Sequence, residues 1–161
     1  MSLVTSIEEI ITPRVTLATD AYKEFMALPA QKIEDDIIDI HERLIFVRAI
    51  TVPITYAILE LQILKSKING ILDERSTKIM VAEAKLMESP IGILRDFSTR
   101  DETRAIMNAK TLDLQISKRE AENAKSRIQE ALDLLEILKR DLSDERWSIE
   151  SRVKILCTPQ S

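Results

Sequence analysis

From Ile33 to Leu86 the chain places residues of one seam at alternating steps of four and three: Ile33, Ile37, Ile40, Leu44, Val47, Thr51, Ile54, Ile58, Leu61, Lys65, Ile68, Leu72, Arg75, Ile79, Ala82 and Leu86. A strand would alternate every second residue. A 3.5-residue repeat sustained over more than seven heptads instead demands a long helix with one continuous apolar seam. Pro53 falls inside the series without shifting its register. Because proline removes one backbone donor and crowds the preceding turn, the spacing predicts over 33–88 either one helix kinked near Pro53 or two collinear helices.

A second segment repeats the habit. Steps of seven from Met107 reach Leu114, Ala121, Ile128, Leu135, Leu142, Ile149 and Leu156, all apolar, with Lys110, Ser117, Ala124, Ala131, Leu138, Glu145 and Arg152 at the weaker partner positions. Between the two lies "ESPIGILRDFSTRDE", where Pro90 and Gly92 stop one helix and "STRDE" starts the next. The expected elements are therefore a helix over 33–88, an apolar loop over 89–99 and a helix over 100–156 ending before Pro159. Two helices of nearly equal length, each about 85 Å at 1.5 Å per residue, fit an antiparallel hairpin. Pairing their ends makes facing positions sum to about 188, which sets Arg43 against Glu145, Asp36 against Arg152 and Arg75 against Asp113. Lys78 against Lys110 is the like-charged exception.

Residues 1–32 form a separate N-terminal helical segment, punctuated by Pro13 and Pro29. Leu17, Ala21, Phe25 and Leu28, with Tyr22 beside them, predict a short helix around 15–28. Composition supports an all-α fold throughout: 45% hydrophobic and 31% charged residues, but 4% aromatic and 2 glycines, leave little from which to build sheets and tight hairpins.

The same inventory argues against an enzyme. His41, the single histidine, adjoins the seam with no partner in a recognisable motif, and the single cysteine, Cys157, lies near a helix end with no cationic motif around it. The acidic run "EDDIID" (34–39) points Glu34, Asp35 and Asp36 in diverging directions on a helix, unlike a calcium loop. Two glycines cannot build a phosphate cradle. No catalytic residue, metal, cofactor or small-molecule substrate is expected. A lone thiol fits a reducing compartment, "MSLVTSIEEII" lacks the basic start of a signal peptide, and "AITVPITYAILEL" is short for a bilayer. The expectation is a soluble, cytoplasmic protein without a membrane.

Surfaces remain. Ile38, Ile45, Val52, Ala57, Leu64 and Ile71 widen the first stripe, and Leu112, Ile116, Leu132 and Leu134 the second, beyond what one two-helix seam covers, which predicts a homo-oligomer. Charge is uneven within a net −4: residues 1–74 carry 7 basic and 12 acidic side chains, 75–127 carry 11 and 8, and 128–161 carry 5 and 7. Lys78, Lys85, Arg95, Arg100, Arg104, Lys110, Lys118 and Arg119 gather near the turn, where a nucleic-acid backbone could be engaged. The competing reading is an ordinary solvated surface, since acids are interleaved and only Phe97 is available for stacking.

The plan of the hairpin, with "VAEAKLMESPIG" entering its loop, resembles the UvsY recombination mediators of T4-like phages. That resemblance implies an oligomer that binds single-stranded DNA and helps load a recombinase. Ala84, Lys85 and Leu86 stand where the family has a basic Ala-Arg-Leu element. The final helix, "LLEILKRDLSDERWSIESRVKI", is similar to the family's oligomerisation helix and implies that role for Leu135, Leu138, Leu142, Trp147, Ile149 and Val153. The chain departs from the pattern where Met87 and Glu88 replace tyrosines and where the loop is apolar rather than glycine-rich. The alternative is a structural or adaptor coiled coil, such as a phage particle component or an assembly scaffold, without nucleic-acid affinity.

Overall fold

A computed structural model of the chain describes residues 3–28, 37–88 and 100–157. Those residues form three helices and no strand: α1 over Leu3–Met26, α2 over Ile37–Glu88 and α3 over Arg100–Cys157. The fold is all-α. Ile33, the Asp36–Arg152 pairing, the 89–99 loop and Pro159 lie outside the described residues.

The helix expected around 15–28 is longer, reaching back through Pro13 to Leu3. Ile7, Ile11, Ala18 and Phe25 are buried along one stripe of α1, so the apolar spacing begins before the proline. Burying two isoleucines at about 1.5–3 kcal/mol each offsets the roughly 3 kcal/mol that proline costs a helix interior. The carbonyl deprived of its donor belongs to Glu9, an exposed residue, where water can satisfy it. Pro53 is tolerated in the same way. α2 is one helix through it, and the orphaned carbonyl is that of exposed Ala49.

The chain divides into two compact units, each drawing on both long helices. One comprises Glu8–Ile63 with Ile128–Ser161, and contains most of α1, the first half of α2 and the second half of α3. Its core is the predicted seam: Ile40, Leu44, Val47, Ile54, Ile58 and Leu61 of α2 with Ile128, Leu135, Leu138, Leu142 and Ile149 of α3. α1 adds Ile11, Ala18 and Phe25. α1 runs antiparallel to α2, since Phe25 stacks near Phe46 with ring centroids 6.3 Å apart while Arg14 pairs with Glu60. We refer to this as the three-helix unit.

The other unit comprises Met1–Ile7 with Leu64–Arg127. It joins the second half of α2 to the first half of α3, as an antiparallel pair requires. Its buried side chains are smaller and fewer: Ile7, Ile68, Ala121, Ala124 and Thr111. Thr111 is buried without penalty because its hydroxyl donates to the Met107 carbonyl at 2.9 Å and accepts from Gln115 at 2.9 Å.

The facing rule is met at Arg43, whose guanidinium lies 3.1 Å from Glu145. It is offset at Arg75, which donates to the Ser117 carbonyl, one turn beyond Asp113. A long arginine settles on the nearest strong acceptor within its reach, so charge matching by position alone misses by a turn.

Candidate interaction surfaces

Polar contacts in the three-helix unit sit at the rim of its core. Arg43 bonds Glu145 through Nε and Nη2, at 3.2 and 3.1 Å, while its guanidinium carbon lies 5.0 Å from the centre of the Phe25 ring. One side chain thus engages α1 and α3 from α2. The Tyr22 hydroxyl donates to Asp141 at 3.3 Å, and partial burial, then the adjacent carboxylate, push its pKa up. Glu150 accepts from Arg146 at 2.8 Å and from Arg48 at 3.2 Å, and those hydrogen bonds hold its carboxyl below the ordinary range. Two guanidinium groups therefore share one carboxylate.

Arg48 and Arg146 also line a groove of about 440 Å³, together with Thr51, Val52, Thr55, Tyr56 and Leu59. The groove opens beside a larger feature. Successive helix residues are about 100° apart, so Ile40, Val47, Ile54 and Leu61 project from one side of α2 into the core. Ile38, Ile45, Val52, Tyr56, Leu59 and Ile63 project from the opposite side, and they are 62, 57, 54, 65, 49 and 58% exposed. α2 is apolar on two opposite faces, of which the fold covers one. An 18-residue window of this helix reaches a mean hydropathy of 1.8 and is only 39% buried. By length and composition α2 can cross a membrane, a property the shorter run "AITVPITYAILEL" did not reveal because Arg48 and the residues before it were left out of it.

The residues that the family resemblance assigned to oligomerisation are placed differently from one another. Leu135, Leu138, Leu142 and Ile149 are buried in the chain's own core, Val153 is half-buried, and Trp147 is 73% exposed. Four of the six are thus occupied within the chain. Among the residues expected to widen the stripes, Ala57 and Leu132 are buried, Leu64 and Ile71 are half-buried, and Leu112, Ile116 and Leu134 are exposed.

Of the basic residues, Lys78, Lys85, Arg104 and Lys110 fall in the second unit and are all exposed. Lys78 is 2.6 Å from Glu74, whose carboxyl it holds below the ordinary range. Lys85, Arg104 and Lys110 have no ion pair among the described residues. Arg95 and the Arg100 side chain lie outside the described residues. Lys118 stands 3.9 Å from Glu122, and Arg119 is exposed.

Among the described residues, the groups suited to bond chemistry are dispersed. His41 and Asp39 are exposed on α2, and Cys157 is an exposed free thiol at the end of α3. Among the described residues no three metal-ligating side chains cluster. The acidic positions 34–36 lie outside them. Sequence reasoning found the upper part of the uncovered α2 stripe through Ile38, Ile45 and Val52. It missed Tyr56, Leu59 and Ile63, although Leu59 continues that seven-residue spacing. Comparison with protein-family models, with curated proteins and with solved structures finds no match to this chain.

Proposed function

We propose that the chain is a non-enzymatic helical assembly protein, acting through the surfaces of its long helices. The observation that carries this reading is the second apolar face of α2, which lies opposite the core and is left uncovered. A soluble helix ordinarily sets a polar face against its apolar one, and a helix apolar on both sides is normally covered on both. If so, the native chain should exceed its single-copy mass in solution or capture a helical partner. A chain that stays at 18.4 kDa at high concentration and retains no partner would contradict the reading.

A second reading is favoured by one specific observation, the exposed Lys85, Arg104 and Lys110, which lack acidic partners among the described residues. In that reading the assembly binds single-stranded DNA at this basic surface and works with a recombinase, as the resemblance to UvsY-type mediators implies. Such binding would be dominated by phosphate contacts and would weaken steeply with salt. Titration of a fluorescent oligonucleotide at low salt tests it. The expected result is binding that is lost on raising salt and in Lys85→Glu with Lys110→Glu. No binding by the assembled protein at low salt would leave the scaffold reading alone.

A further inference from the structure

We propose that the outer face of α2 in the three-helix unit is a self-association surface, on which Ile38, Ile45, Val52, Tyr56, Leu59 and Ile63 dock antiparallel against the same face of a second copy. This rests on the assembly reading above and specifies its partner and its site.

The spacing of the stripe identifies a helix as the occupant. Ile38, Ile45, Val52 and Leu59 recur every seven residues, and Ala49, Tyr56 and Ile63 form a second seven-residue series three positions earlier in the heptad. Two such series are the knob positions of a coiled-coil seam. The first set of heptads is already used by the core, so α2 carries two seams on opposite sides. A bilayer would impose no such spacing. It would also have to accommodate Glu42, an exposed acid that begins the Ala49, Tyr56 and Ile63 series, and Glu60, an exposed acid at the edge of the stripe that pairs with Arg14.

The extent of the surface identifies the partner as a second copy. Six large side chains, each about half exposed or more, present on the order of 600 Å² of apolar area. That is the upper end for a monomer's largest patch. Covered by an identical face, it would bury about 1,200 Å² in total, the lower bound of a specific interface. A closed two-fold pairing covers this face of both copies at once and leaves none of it for a third.

The bordering charges set the direction. A parallel pairing would bring Glu42 against its own counterpart, two carboxylates at the edge of an apolar seam. An antiparallel pairing separates them toward opposite ends, where each lies beside Leu59 of the other copy and keeps its carboxylate at the solvent margin of the seam. It places Ile38 against Ile63, Ile45 against Tyr56 and Val52 against Ala49 of the other copy. The groove beside Val52, Tyr56 and Leu59 would then receive a side chain from that copy near the centre of the interface.

The test is the mass of the full chain in solution by sedimentation, for the native sequence and for Ile45→Glu with Tyr56→Glu, with helicity followed by circular dichroism. The native chain should dimerise, and the double variant should remain helical while its dissociation constant rises at least about 100-fold. Leu17→Glu with Trp147→Glu, at exposed apolar positions away from the stripe, should leave dimerisation unchanged. In a Cys157→Ser background, Val52→Cys should form an intermolecular disulfide when mixed with Ala49→Cys, and Ile38→Cys should cross-link only when mixed with Ile63→Cys. Association that survives Ile45→Glu with Tyr56→Glu would overturn this surface while leaving the assembly reading intact. A native chain that is monomeric but floats with phospholipid vesicles, and loses that property in the same variant, would overturn the second copy in favour of a bilayer. A monomer that binds neither would overturn the proposal and remove the main support for the assembly reading.

Discussion

Arg43 does more for this fold than its position beside the seam implies. Its guanidinium bonds Glu145 on α3 and lies over Phe25 on α1, so a single change disconnects both neighbours. Arg43→Ala should lower unfolding stability by about 1–2 kcal/mol in denaturant titration. Most of that loss should be shared with Glu145→Ala in a double-mutant cycle. Gly70 is the opposite case. It lies in the interior of α2 with helical backbone, and an added Cβ would meet nothing within 4 Å. Gly70→Ala should therefore raise stability by about 0.5–1 kcal/mol, seen as a higher thermal midpoint. The Glu150 carboxyl gives a pH dependence with a defined sign. Hydrogen bonds from Arg146 and Arg48 lower its pKa in the folded chain. A lowered folded pKa contributes stability that is present above the unfolded value and is lost as pH falls through the folded one. The thermal midpoint should fall with acidification below about pH 5, and it should fall less steeply in Glu150→Gln.

At the scale of elements, the strongest determinant is the pairing of the two seams. Leu135 is fully buried where α3 packs in the three-helix unit, and Leu135→Ala should cost about 2–5 kcal/mol. Leu112→Ala, at an exposed position on the same helix, should change stability by less than about 0.5 kcal/mol. The long helices were legible in the sequence because burial and period agree. From Ile40 to Leu61 and from Ala121 to Ile149 the predicted apolar seam positions are also buried. The first half of α1 was not legible, because proline ordinarily marks a helix boundary, whereas here the stripe of Ile7, Ile11 and Ala18 outweighs the backbone bond lost at Pro13. The bridge from Arg48 through Glu150 to Arg146 was not legible either, since it depends on how far arginine side chains reach across a helix pair. Nor could periodicity say which of two stripes the chain would cover. Leu135 and Leu142 share a seven-residue series with Ile149, and spacing alone does not tell a core from an interface. Only their burial assigns them to the chain's own interior.

For the whole molecule, a helix with two apolar faces and one cover should have a partner for the other. Association of that kind comes before any binding of DNA and does not depend on the basic side chains of the second unit. Lys85→Glu with Lys110→Glu should alter oligonucleotide binding without altering association. The most direct single measurement is the sedimentation-equilibrium mass of the native chain over a wide range of concentration. The mass should rise above the 18.4 kDa of one copy toward twice that value as concentration increases. A mass that stays at 18.4 kDa up to the highest concentration reached, with α2 still helical, would contradict this association.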